Sequence, residues 1–318
     1  MESKAERDGR RTGLIDPPSA RTELVESRLP AYTEPPTWLL RAVATPTTSH
    51  FVESTGIHLH YRAWNAGDTS KPALLFVHGF KGHSHWWDFI APHFTDRFRV
   101  FAMDFSGMGK SGHRPAYTPE RFTEDLIAIL ESGVGTATVV GHSYGGLCTL
   151  RASADRPDLI RHAIILDTRV RFADVDEVMS GRAAGNPGIT YADYDSIRAR
   201  FRVIPEQPLP IHATFEHVAF HSIERSENGW RWCFDPALPY VATEIDGDSL
   251  LERIDVPVDY VFGEESIVVE RWRAERIAST LPHCLGAIGI PQSHHHLMLD
   301  QPIALISVLR ALLLQERS

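Results

Sequence analysis

Val139-Val140-Gly141-His142-Ser143-Tyr144-Gly145-Gly146 decides the reading of this chain. Ala137-Thr138-Val139-Val140 is short, apolar and rich in β-branched residues, so it reads as a buried strand. The residues after Ser143 read as a helix. Between them stands G-x-S-x-G in a strand–turn–helix setting. A turn this sharp forces its central residue into strained backbone geometry, and side chains at the flanking positions would collide. The turn lifts the Ser143 hydroxyl clear of the strand ends. The helix that starts there aims backbone N–H groups at the same place, which makes the N–H of Tyr144 a candidate oxyanion donor. The bare pattern also arises in ordinary glycine-rich turns; the flanking strand and helix give it weight.

Working outward, the same texture recurs. Ala73 to Val77 is a continuous apolar run ending at His78-Gly79. Phe98 to Met103 ends at Asp104, Ala163 to Leu166 at Asp167, and Val258 to Phe262 at Gly263. Upstream, His50 to Glu53 and Ile57 to Trp64 read as two strands joined by Ser54-Thr55-Gly56. Helical segments lie between: Pro119 to Leu130 with Thr118 as N-cap, and further segments over 269–280 and 301–315. Short apolar strands alternating with helices predict an α/β fold, a mostly parallel sheet covered on both faces, with functional loops at one edge.

Two stretches break the rhythm. Residues 1–46 are polar and proline-rich and form an N-terminal extension that cannot bury enough apolar surface to fold alone. Its sticky spot, Trp38-Leu39-Leu40, could dock on the core or on a second copy of the chain, which leaves a homo-oligomer open. Residues 170–250 carry Gly185-Asn186-Pro187-Gly188, a helix-like Tyr191 to Phe201, and Pro205, Pro208 and Pro210. They read as a helical cap inserted into a core made of 47–169 and 251–318. Arg200-Phe201 and Trp230 to Phe234 are its conspicuous aromatic and cationic residues, more simply read as holding the cap together.

Composition narrows the function classes. The 318 residues carry a formal net charge of −9, and Arg10-Arg11 is the only local basic cluster, so nucleic acid is not an expected partner. No apolar run is long enough to cross a bilayer, and Met1 to Arg28 is too polar for a signal peptide, so a cytoplasmic protein acting on a small molecule is expected. Three scattered cysteines, Cys148, Cys233 and Cys284, form no metal or disulfide pattern and read as free thiols.

Several motifs, in order along 49–315, resemble the α/β-hydrolase superfamily. His78-Gly79-Phe80 is similar to that family's oxyanion loop, which implies that Phe80 supplies the second N–H. Asp104 to Ser111 (DFSGMGKS) is similar to its D-x-x-G-x-G-x-S loop, a structural support whose Gly107 and Gly109 make a turn rather than hold a phosphate. Ser293-His294-His295-His296, followed by Asp300 and Pro302, resembles the loop carrying the catalytic histidine, and the spacing to Pro302 points to His295. Three adjacent histidines invite a metal reading, but neighbouring residues rarely converge on one ion without suitably spaced partners, so no metal is expected. The pattern departs at the acid. Ser266 stands where relatives commonly have Asp. Asp167, at a strand end, and Glu265, one residue early in the usual loop, are the substitutes. Asp167 is preferred because a strand end holds a carboxylate more rigidly, although an Asp there also serves merely to brace a loop. His83, His85, Trp86 and Trp87 read as a helix start packed into the core.

The resemblance implies a cofactor-free serine hydrolase cleaving a carboxylic ester, lactone or related acyl bond through an acyl-enzyme, with Ser143, His295 and Asp167 as its triad. It also implies two competitors: hydrolysis of a carbon–carbon bond in a β-diketone-like substrate, and a non-catalytic small-ligand receptor. Epoxide hydrolases and dehalogenases of this fold use an Asp nucleophile, and Ser143 speaks against both.

Overall fold

A computed structural model describes residues 34–176, 188–238, 246–281 and 283–314. A short helix α1 (Thr37–Val43) leads into β1 (Thr48–Ser54), β2 (Ile57–Trp64), β3 (Ala73–Val77) and β4 (Arg99–Met103). Then come α2 (Pro119–Ile129), β5 (Ala137–His142), α3 (Tyr144–Asp155) and β6 (Ile160–Leu166). After a long excursion the chain returns through α6 (Gly247–Leu251) to β9 (Val258–Gly263), α7 (Arg271–Thr280), β10 (Ala287–Ile290), α8 (Leu297–Asp300) and α9 (Pro302–Leu313). The excursion holds α4 (Tyr194–Arg198), α5 (His212–His221) and a hairpin of β7 (Ile223–Ser226) and β8 (Gly229–Trp232).

Eight strands make one sheet in the order β1-β2-β4-β3-β5-β6-β9-β10. Only β2 runs against its neighbours; the pairings from β4 to β10 are parallel. The central strands are apolar throughout because both faces are covered. Successive residues of β3 divide between the two sides. Ala73, Leu75 and Val77 join the core under α2 and α3, while Leu74 and Phe76 join the core under α9. Val258, Tyr260 and Phe262 against Val261 repeat the division in β9. α2 begins where the sequence says it should: Thr118 accepts a hydrogen bond from the Arg121 N–H at 3.3 Å, and Pro119 opens the helix.

Three differences from the sequence reading concern elements near the edges. β10 is a short edge strand, Ala-Ile-Gly-Ile, too brief for its apolar residues to stand out. The helix expected over Tyr191 to Phe201 is confined to Tyr194–Arg198, capped by Asp193. The expected cap region contains a β-hairpin as well as helices. The sticky spot of the N-terminal extension docks on the core: Leu39 and Ala42 are buried in the cluster that contains Trp87, Phe94 and Leu309. Residues 1–33 lie outside the described residues, as does most of the Gly185 to Gly188 turn. Among the described residues, no helix is long and apolar enough to cross a membrane.

Candidate active site

Ser143 joins β5 to α3 with φ +53° and ψ −120°, a left-handed geometry that is costly for serine. The turn is tight enough that glycine is required beside it. A Cβ on Gly141 would meet Thr149 Oγ1 at 2.5 Å and the Gly145 carbonyl at 2.7 Å, and one on Gly145 would run into the His78 carbonyl. β5 and β6 pair in parallel as far as His142 opposite Leu166, and the Ser143 N–H then donates to the Leu166 carbonyl at 2.9 Å. The next residue of β6's chain is Asp167. Sheet register alone therefore places serine and aspartate side by side.

His295 arrives from the loop after β10. Its Nε2 lies 3.0 Å from Ser143 Oγ and its Nδ1 lies 2.7 Å from Asp167 Oδ2. Asp167 is fully buried, with φ +43°, and receives two further hydrogen bonds. The Gly263 N–H donates to Oδ1 at 2.9 Å, and the Ser266 hydroxyl donates to Oδ2 at 2.7 Å. Glu265 is exposed, and its fixed contact is a backbone hydrogen bond to the Ser293 carbonyl. Ser266, at the position where relatives commonly have Asp, is thus a hydroxyl donor to an acid that sits 99 residues earlier. The sequence reading missed this role; a vacant acid position beside a competing upstream Asp was the available signal.

Neighbours fix the histidine loop. His142 Nε2–H donates to the His295 carbonyl at 2.8 Å, tying the serine turn to the histidine loop. Burial, aided by His295 nearby, holds the pKa of His142 well below that of a free imidazole, so it stays neutral. Asp300 accepts from the His294 N–H at 2.6 Å and from Ser293 Oγ at 2.9 Å. Gln207, from the excursion, accepts from the His296 N–H at 2.8 Å and donates to Asp300 Oδ2 at 3.1 Å. Neither Gln207 nor His142 was singled out from sequence, since such contacts link distant segments.

Phe80 and Tyr144, the expected oxyanion donors, flank the serine. Gly79 abuts Ser143 closely enough that a Cβ on it would lie 3.2 Å from the Ser143 Cβ, and the Phe80 and Tyr144 rings meet edge-on at 5.7 Å. His78 secures the loop: Nδ1–H donates to the Gly79 carbonyl at 2.7 Å and Nε2 accepts from the Phe105 N–H at 3.2 Å. The Asp104 to Ser111 loop wraps its own carboxylate. Asp104 accepts from the Lys110 N–H at 3.0 Å and binds His60 at 2.7 Å, while Gly107 and Gly109 turn with positive φ.

Chain and geometry place the protein among known ones. The sequence profile described as "Alpha/beta hydrolase family" matches residues 74–308. This chain belongs to the alpha/beta hydrolase family. This alpha/beta hydrolase is 27% identical over 254 residues to Esterase Rv0045c of Mycobacterium tuberculosis (strain ATCC 25618 / H37Rv), covering 77% of this chain and 83% of the esterase. It is 25% identical over 296 residues to an epoxide hydrolase of Caballeronia sordidicola, covering 77% and 87%. The crystal structure of Esterase Rv0045c superposes with a TM-score of 0.65 at 22% identity, over 87% of this chain and 96% of that one. The chain is accordingly a hydrolase of this family.

Among the described residues of this hydrolase, two groups bring metal-ligating atoms within 4.8 Å of one another: His142, His295 and His296, and His85, Asp88, His217 and His221. The convergence of adjacent His295 and His296 with His142 departs from the sequence expectation, because the third histidine comes from the end of β5, far from the histidine loop in sequence. In this first group both ring nitrogens of His295 already have partners, in Ser143 and Asp167. In the second, Arg62 is ion-paired with Asp88, which also binds His85 at 2.8 Å and His217 at 2.9 Å. The guanidinium opposes a divalent cation there, and the group serves as a charge network joining α5 to the turn Ser84–Trp87.

Proposed function

We propose that the protein is a serine hydrolase that cleaves a carboxylic ester, lactone or related acyl bond of a small organic substrate through an acyl-enzyme. The observation that carries this reading is the unbroken hydrogen-bond chain Asp167–His295–Ser143, ending on a serine at a strained strand–helix turn. In the proposed sequence, His295 Nε2 takes the Ser143 proton as Oγ attacks the substrate carbonyl carbon. The negative charge on the former carbonyl oxygen is held by the Phe80 and Tyr144 N–H groups. His295 passes its proton to the leaving alcohol oxygen as the C–O bond breaks. A water molecule, deprotonated by the same imidazole, then attacks the acyl carbon, and Ser143 regains its proton. Asp167 fixes the Nδ1–H tautomer and stabilises the imidazolium.

The residues between β6 and β9 act as a cap in this reading, and the three free cysteines suit a cytoplasmic location. A serine at the turn separates this chain from epoxide hydrolysis, which in this fold uses a carboxylate nucleophile. The test is labelling with a fluorophosphonate probe, followed by an ester and lactone panel. Wild type should label and turn over at least one acyl substrate, and Ser143→Ala should do neither. Labelling and turnover that survive Ser143→Ala would sink the assignment.

A further inference from the structure

Gly79, Phe80, Lys81 and Gly82 form a tight turn closed by the Gly82 N–H on the Gly79 carbonyl at 3.0 Å. Lys81 occupies its third position with φ +58°, where glycine or asparagine is the comfortable choice. A strained lysine beside a candidate oxyanion donor requires an explanation. Its ammonium lies 5.7 Å from the centre of the Phe80 ring and 4.8 Å from that of Phe234. Among the described residues its ammonium meets these two ring faces and no carboxylate. Partial burial lowers its pKa below that of a free lysine.

Phe234 links this lysine to a groove of about 770 Å³, whose walls include Arg225, Arg231 and Trp232. Arg231 is paired with Glu224 at 2.7 Å, and the Arg225 guanidinium lies over the Trp230 ring. Among the described residues lining the groove, Glu227 is the one acid. Ser143 and His295 do not line it; the groove and the serine turn approach each other through Phe234, Lys81 and Phe80.

We propose that Lys81 is a specificity residue that receives a carboxylate of the substrate, so that the hydrolase prefers singly anionic acyl substrates. This rests on the serine-hydrolase reading above. A cation held by aromatic faces and partly stripped of water is under-compensated, and an arriving anion restores the balance in a medium where charge-assisted bonds are strong. The single ammonium of Lys81 matches one negative charge better than a doubly charged phosphate. Because Phe80 and Lys81 are consecutive, substrate recognition and oxyanion stabilisation would share one turn.

The experiment compares mono-4-nitrophenyl esters of adipic, pimelic and suberic acids with the neutral hexanoate, heptanoate and octanoate. The ratio of kcat/KM within each pair is read for wild type, Lys81→Met, Lys81→Arg and Lys81→Gly. Wild type should favour the carboxylate member by about tenfold or more at one chain length at least. Lys81→Met should bring that ratio near one, and Lys81→Arg should retain it. Lys81→Gly should lose the preference while melting no lower than wild type, since glycine relaxes the turn. A ratio near one for wild type at every length, or a preference that Lys81→Met leaves intact, overturns the assignment of Lys81. Turnover of the neutral esters keeps the two readings apart: with it, such a failure falls on Lys81 alone. Without turnover of either series, and with no fluorophosphonate label on Ser143, the hydrolase reading falls and takes the anionic preference with it.

Discussion

Replacing Asp167 by Asn tests the acid of the site at its most specific point. The Asp167 carboxylate receives three hydrogen bonds: from His295 Nδ1 and Ser266 Oγ on Oδ2, and from the Gly263 N–H on Oδ1. Asparagine can keep only one oxygen. If that oxygen stays on the Gly263 N–H, the amide nitrogen faces His295 Nδ1 and Ser266 Oγ. The serine hydroxyl can rotate to accept, but His295 must then accept at Nδ1 and carry its proton on Nε2. That proton points at Ser143, so the imidazole can no longer take the hydroxyl proton. The opposite amide orientation sets two N–H groups against each other at Gly263 and is worse. Loss of the correct tautomer costs a triad about 10⁴-fold in kcat, close to 5.5 kcal/mol. The change is nearly isosteric, so the fold should survive with a stability loss on the order of 2 kcal/mol. We expect Asp167→Asn to show this loss in 4-nitrophenyl ester hydrolysis, and Glu265→Gln, at an exposed position, to stay within about twofold of wild type. Ser266 reaches the same carboxylate oxygen as His295, so Ser266→Asp added to Asp167→Asn should recover part of the loss, about tenfold or more. If Asp167→Asn keeps more than roughly a tenth of wild-type kcat while Glu265→Gln loses orders of magnitude, the acid is Glu265 and the reasoning fails.

Two further outcomes follow from the neighbours of the site. Burial, with Arg62 adding to it, pushes the pKa of His85 down to about 4, and burial also holds His142, His221 and His296 low. The unfolded chain binds these protons near pH 6.5 and the folded one does not, so stability is fully present above about 6.5 and falls as pH drops towards 4. His85 alone contributes roughly 3 kcal/mol across that window. Urea midpoints at pH 7.5, 6 and 5 should decline together with this, less steeply in His85→Asn; a flat profile would contradict it. Gln207→Leu removes hydrogen bonds to His296 and Asp300. It should destabilise by roughly 2 kcal/mol and slow fluorophosphonate labelling, both measured against wild type; unchanged labelling would show that the histidine loop holds itself.

The central strands and the serine turn were legible because their signals are local. Ala73 to Val77 and Ala137 to Val140 are apolar at every position, and Gly141 and Gly145 bracket Ser143 within five residues. In the structure His295 lies within hydrogen-bonding distance of both Ser143 and Asp167, the two side chains expected to act with it. What the reading left out is tertiary. Ser266, Gln207 and His142 matter through partners 99, 89 and 153 residues away, and nothing in their own neighbourhoods records those contacts. The hairpin of β7 and β8 is a different case. Asn228-Gly229 between Ile223-Glu224-Arg225 and Trp230-Arg231-Trp232 is a strong turn signal that the cap reading passed over. β10 could not have been found this way, because four residues with a central glycine carry too weak a pattern.

The pairing of β5 with β6 has an evolutionary corollary. Where the acid follows β9, that loop must keep one length and one shape to stay catalytic. Here the proposed acid, Asp167, directly follows the strand adjoining the serine's own, held in step by the ladder that ends at His142 opposite Leu166. The segment Gly263 to Glu270 is left with the lighter duty of presenting an amide and a hydroxyl. It can therefore accept insertions and drift in composition that would be lethal in a relative wired the other way, and it is a natural place to graft new sequence.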